Sequence, residues 1–183
     1  MSHIHTAPHQ YDFTASAYIV RLDGPAPQLI LHRHKKLNQY LQFGGHVELD
    51  ESPWSAVVHE IAEESGYAMN QLKILQPQTG LQAISSGIIH PQPVATLSIR
   101  FGDTDHYHTD IAYAFVTREA PAGVVSDDEL SDIKLCTAAE LAALPAGQIP
   151  ENVREAGLFI LDECLQHWTE VDCATFQTSN PVA

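Results

Sequence analysis

Lysine and arginine are scarce in this 183-residue chain: nine of them stand against 23 aspartates and glutamates, for a formal net charge of −14. A surface that grips a phosphate backbone needs clustered cations, so general binding to nucleic-acid polymers is excluded. Docking on anionic membrane surfaces is excluded on the same ground. A small anionic substrate is not, because a bound metal ion reverses the local field. Cysteine is sparse too. Cys136, Cys164 and Cys173 form an odd set without the CxxC spacing of a zinc site or redox centre, and they are expected as reduced thiols with packing or surface roles. No stretch approaches the ~20 apolar residues that cross a bilayer. The opening MSHIHTAPHQ has no apolar signal region. The expectation is a cytoplasmic protein without a membrane partner.

What is present reads as a folded α/β chain. The hydrophobic share of 44% and the charged share of 17% are ordinary for a globular protein. The length suits a single domain over 1–183, with 1–12 and 170–183 as loosely ordered tails. Residues 15–22 and 28–33 read as strands joined across Asp23-Gly24-Pro25, and 38–43 as a short strand entering Gly44-Gly45. Further strands are expected within 71–76, 80–89, 94–101 and 109–117. Helices are expected over 137–144, begun by Thr137, and over 151–168. The polar tail from Thr169 is expected to fray.

The densest information lies in 45–67, GHVELDESPWSAVVHEIAEESGY. Ser52 suits a helix N-cap, Pro53 the first helical position and Gly66 the C-terminal stop. Trp54, Val57, Val58 and Ile61 form an apolar stripe at helical spacing. Glu60, Glu63 and Glu64 fall within one arc of roughly 100° on the same helix. Like charges at that spacing destabilise a helix. Such an arc either faces water or holds a hard cation, and carboxylate oxygens suit Mg²⁺ and Mn²⁺.

Position by position, this stretch resembles the Nudix (MutT-like) box. That motif runs Gly, five residues, Glu, seven residues, Arg-Glu-aliphatic, one residue, Glu-Glu, one residue, Gly-aliphatic. The matching residues are Gly45, Glu51, Glu60, Ile61, Glu63, Glu64 and Gly66, with Tyr67 in the last apolar slot. The resemblance implies an αβα sandwich with a mixed central sheet. It also implies metal-dependent hydrolysis of a phosphoanhydride by water. Glu60, Glu63 and Glu64 are then metal ligands, with Glu48 and the Gly45 carbonyl as further ligands, and any of the helix glutamates is a candidate base. His59 occupies the family's arginine slot. In the family that arginine pairs with the loop glutamate, here Glu51; a histidine donates to it with shorter reach and no bidentate fork.

Other residues carry weaker signals. His32, Arg33, His34, Lys35 and Lys36 are the one basic concentration, and Arg33, His34 and Lys36 are candidates for substrate phosphates. His46, just after the glycine pair, is a further phosphate candidate. His106, His108 and Asp110 would share one face of a strand, a spacing compatible with a metal site. Glu129, in SDDELSD, stands where many Nudix proteins carry a distal catalytic or metal-binding acid. The proline that often marks ADP-ribose members is missing from Gln82-Ala83-Ile84. The tyrosine of many dinucleoside polyphosphate members is missing at Ser85-Ser86.

The expected activity is Mg²⁺- or Mn²⁺-dependent cleavage of a small nucleoside diphosphate derivative, with a nucleoside triphosphate as the fallback substrate. The rival expectation is a Nudix-fold nucleotide sensor with little turnover, favoured by His59. An isopentenyl diphosphate type isomerase ranks last, because no cysteine lies beside the box. Family habit also allows a homodimer.

Overall fold

The computed structural model describes residues 7–81, 83–100, 105–123 and 130–178. Among them, nine strands form one mixed sheet. The strands are β1 (Tyr11–Arg21), β2 (Gln28–His34), β3 (Gln39–Leu41), β4 (Phe43–His46), β5 (Lys73–Pro77), β6 (Ala95–Arg100), β7 (Tyr107–Thr117), β8 (Leu130–Cys136) and β9 (Trp168–Asp172). Their order is β3-β2-β1-β7-β5-β9, with β4 also on β1, β6 on β7 and β8 on β2. The centre is a parallel pair, β1 against β7, in unbroken register from Tyr11↔Tyr107 to Arg21↔Thr117.

Alternation along these two central strands produces the layers. Ala15, Ala17 and Ile19 of β1, with Tyr113 and Phe115 of β7, face helix α1 (Pro53–Glu60) and pack on Trp54, Val57 and Ile61. Trp54 stacks on Phe115 at 6.1 Å. The opposite face presents Val20, Ala112, Ala114 and Val116 to α2 (Ala138–Ala143) and α3 (Glu151–Phe159) through Leu141, Val153 and Ile160. Sheet and helices thus make the expected αβα sandwich. Thr137 caps α2 in a reciprocal box with Glu140. The buried Arg154 guanidinium donates to the Leu141 and Ala142 carbonyls at 2.8 and 3.1 Å, satisfying the end of α2.

The structure departs from the sequence reading at four points. Residues 81 and 83–89 form no strand: they run as bends and coil, with Gly87 at a φ of +103°. A strand with no sequence forecast, β8, pairs with β2 through a bulge beside Leu31 and Arg33. Asp132 there adopts a left-handed φ of +53° and accepts from the Tyr40 hydroxyl at 2.7 Å. The C-terminal stretch is not frayed at Thr169. The helix from Glu151 runs on through Ile160–Cys164 and Leu165–His167, and Trp168–Asp172 then pairs with β5 as an edge strand. Cys173 is buried, and Phe176 packs edge-on against Trp54 at 6.0 Å. A few apolar anchors hold a segment whose polar residues face water on a sheet edge. At the other end, Asp12 is buried within β1 rather than lying in a loose tail. All three cysteines are buried and free. Among the described residues, no helix is long and apolar enough to cross a membrane.

Candidate active site

Local sequence fixes where the glutamate helix begins and ends. The Ser52 hydroxyl accepts from the Ser55 N–H at 3.1 Å, and Pro53 opens the first turn. Gly66 closes the helix at a φ of +71°, and a Cβ there would stand 2.8 Å from the Gly123 carbonyl oxygen. Between them the helix widens into a π-type turn, Ile61–Ser65, a distortion that often marks functional sites.

That geometry sorts the three glutamates. Glu60 and Glu64 are 4% and 7% exposed and lie on the buried side of the helix. A Glu64 carboxylate oxygen accepts from the Gly44 N–H at 2.9 Å. Gly44 sits at a φ of +139°, and a Cβ there would meet the Ala15 carbonyl oxygen at 2.3 Å. Only glycine lets β4 turn this closely past β1 and present its backbone to the helix. Burying two carboxylates on one helix is costly unless hydrogen bonds or a cation compensate. An all-oxygen donor set of that kind fits Mg²⁺ or Mn²⁺.

Glu63 lies on the outer side, its side chain 57% exposed. His59 bridges two carboxylates there: Nε2 stands 3.0 Å from Glu63 Oε1, and Nδ1 stands 3.4 Å from Glu51 Oε1. Both nitrogens donate only in the imidazolium form. Glu48 is exposed, and its N–H lies 3.4 Å from Glu51 Oε2. Glu51 thus ties the loop after β4 to the last turn of α1.

The other expected site residues are spread more widely. Arg33 and His34 end β2, and Lys36 lies in the turn into β3. Arg33 donates to Asn38 Oδ1 at 2.6 and 2.9 Å and lies over the Tyr40 ring, while His34 Nδ1 accepts from the Leu37 N–H at 3.3 Å. Glu129 lies outside the described residues. His46 follows Gly45, but its ring belongs to another group, packed at 5.0 Å from the His108 ring and 3.8 Å from Asp12 Oδ2. Asp110 does not join His106 and His108. It accepts from the Thr14 and Ser16 hydroxyls at 2.8 Å each. Burial raises its pKa, and those two hydrogen bonds oppose the rise. The acid that meets the histidines is Asp12, which sequence reasoning missed by assigning it to a tail. Pairing β1 in parallel with β7 would have found it, because Asp12 lies directly across from His108.

Volume does not mark the site. A cavity of about 710 Å³ lies between the 76–92 segment and β9, lined in part by Gln76, Leu81, His90 and Phe176, and contains none of the helix glutamates. The chemistry of the Gly44–Gly45 corner is the better guide.

Comparison with known proteins identifies the family. The family model described as NUDIX domain matches residues 12–156. No curated protein matches the chain by sequence. Among solved structures, a NUDIX-family hydrolase from Clostridium perfringens is 24% identical, with a TM-score of 0.64 over 86% of this chain and 98% of that one. An Ap4A hydrolase from C. elegans is 17% identical, with a TM-score of 0.57 over 79% and 93% of the two chains. The NUDIX domain of Shewanella oneidensis NrtR, solved with ADP ribose, is 15% identical, with a TM-score of 0.54 over 80% and 86%. At these identities the structural likeness speaks for the fold. The chain belongs to the NUDIX family and is, as a class, a hydrolase acting on phosphoanhydrides.

Proposed function

We propose that this chain is a Mg²⁺- or Mn²⁺-dependent pyrophosphohydrolase that splits the phosphoanhydride of a small nucleoside diphosphate derivative, with a nucleoside triphosphate as the alternative substrate. The observation that carries this reading is the burial of Glu60 and Glu64 on one helix, with Glu64 held by the Gly44 backbone N–H. With the Gly45 carbonyl, these carboxylates would hold the divalent ion, and Glu63 would join them by swinging inward from His59. Bound there, such an ion neutralises phosphate oxygens and acidifies water.

The chain's own residues do the rest. In the hydrolysis, a water oxygen bonds to phosphorus, the anhydride P–O bond breaks, and a glutamate oxygen takes the water proton. The Gly44 N–H orients the Glu64 carboxylate, and His59 links Glu51 to Glu63 so that loop and helix move as one. Arg33 and Lys36, near the β2–β3 turn, supply positive charge for an anionic substrate in an otherwise acidic chain. Two structural neighbours, an Ap4A hydrolase and a domain complexed with ADP ribose, support a nucleotide derivative as the substrate class. The missing proline and tyrosine markers point away from those two compounds themselves. Buried, unpaired thiols fit a cytoplasmic setting.

A screen of nucleotides with Mg²⁺ and with Mn²⁺, read by product mass, tests this reading. The expected products are a nucleoside monophosphate and the phosphorylated remainder. Silence across the panel with both ions would refute it. The second reading, a nucleotide sensor with little turnover, rests on the imidazole where a guanidinium is usual. Under it, H59R would raise turnover by more than about 10-fold, the gain of restoring a bidentate charged contact.

A further inference from the structure

We propose that Asp12, His46 and His108 form a second cation site, separate from the helix glutamates and suited to a transition-metal ion of the Zn²⁺ class. Three neighbouring strands build it. β1 supplies Asp12 in the middle, β7 supplies His108 directly across from it, and β4 supplies His46, whose register partner is Thr14, two residues further along β1. Alternation puts all three on the sheet face opposite α1. One ligand atom from each lies within 4.8 Å of the others. Donors at about 2.0–2.1 Å from a tetrahedral ion stand roughly 3.3 Å apart. The 3.8 Å between His46 Nε2 and Asp12 Oδ2 therefore needs only a small side-chain adjustment.

The surroundings favour a cation over a plain ion pair. Asp12 is 1% exposed, and His106 Nε2 stands 3.2 Å from its Oδ2. Three imidazoles converge here. The His46 and His106 rings both meet the His108 ring edge-on, at 5.0 and 5.2 Å. Such a cluster suits a divalent ion, because neutral imidazoles offer it their lone pairs and Asp12 supplies a carboxylate oxygen. His106 then serves as the outer partner that holds the ligating carboxylate in place.

The donor set also separates this site from its neighbour. Two nitrogens and one oxygen suit Zn²⁺ and related first-row ions, whereas the all-oxygen glutamate corner suits Mg²⁺ or Mn²⁺. His46 keeps 12% of its side chain exposed. The ion would clamp β4 to β1 and β7 one residue beyond Gly45.

The test is a Zn²⁺ titration of the full chain against a competing chelator, together with the visible spectrum of the Co²⁺-loaded protein. One ion per chain is expected in the wild type. An E60Q/E64Q double variant should keep that affinity within about threefold. H46A and H108A should each lose about 100-fold or more, beyond the 10–100-fold typical of outer partners. The Co²⁺ spectrum should carry the intense bands of a low-coordinate site with nitrogen ligands. Absence of stoichiometric Zn²⁺ in the wild type would overturn the proposal. So would Zn²⁺ binding that survives H46A and H108A but vanishes in E60Q/E64Q. Should either histidine variant fail to fold by circular dichroism, the wild-type Co²⁺ spectrum decides: weak, octahedral, oxygen-type bands would contradict the site.

Discussion

The glutamate corner and the histidine cluster use the same short strand, β4, in different ways. To Glu64 the strand offers backbone, the Gly44 N–H, made accessible by two residues without side chains. To Asp12 and His108 it offers a side chain, His46, on the opposite face of the sheet. The first group presents oxygens from one helix. The second assembles nitrogens and one carboxylate from three strands. A contiguous motif can encode the first, because helix periodicity brings Glu60 and Glu64 together. The second exists only once the sheet has formed.

Breaking the glutamate side should have the largest effect. E64Q keeps the size of the side chain but removes its charge, and turnover should fall by about 10²–10⁴-fold, the range for losing a positioned acid–base group. Steady-state rates and a circular-dichroism melt on the same sample separate this from misfolding. Next is Gly44→Ala, which forces an L side chain into a positive φ and onto the Ala15 carbonyl. A destabilisation of about 3 kcal/mol or more is expected in urea unfolding, strain and clash together.

A smaller effect compares the two faces of the sheet through their thiols. Burial pushes Cys164, on the α3 side, up to about 11 and Cys173, on the α1 side, up to about 12. Unfolded thiols ionise near 8.5. Above that pH the unfolded chain holds fewer protons than the folded one, so stability must fall as pH rises through the window from about 8.5 to the folded values. The slope approaches about 1.4 kcal/mol per pH unit for each thiol. Urea midpoints at pH 8 and pH 10, with C164A and C173A as controls, read it on both faces. The smallest effect is His59→Ala. Its side chain is 56% exposed, and both its ion pairs are surface pairs, so stability should change by no more than about 1 kcal/mol.

Legibility followed the same division. The helix, its caps and the Gly44–Gly45 turn were readable because each rests on neighbours in sequence: Ser52 with Ser55, and Gly66 with the turn Ile61–Ser65 that it closes. Which glutamates turn inward was not readable. The π-type turn at Ile61–Ser65 and the approach of β4 decide it, and an ideal helical wheel contains neither. β8 escaped because Asp132 breaks its alternation with a bulge. β9 escaped because an edge strand needs few apolar residues. Asp12 escaped because its partners lie some thirty and a hundred positions along the chain, joined to it only by β-sheet register.

Titration with Mn²⁺ followed by electron paramagnetic resonance, comparing wild type with E60Q/E64Q, tests whether the buried side of the glutamate helix grips a divalent ion. The expected outcome is one Mn²⁺ bound with oxygen ligands in the wild type and a loss of that signal's saturation in the double variant. Equal Mn²⁺ binding in both proteins, or nitrogen couplings on the bound ion, would contradict it.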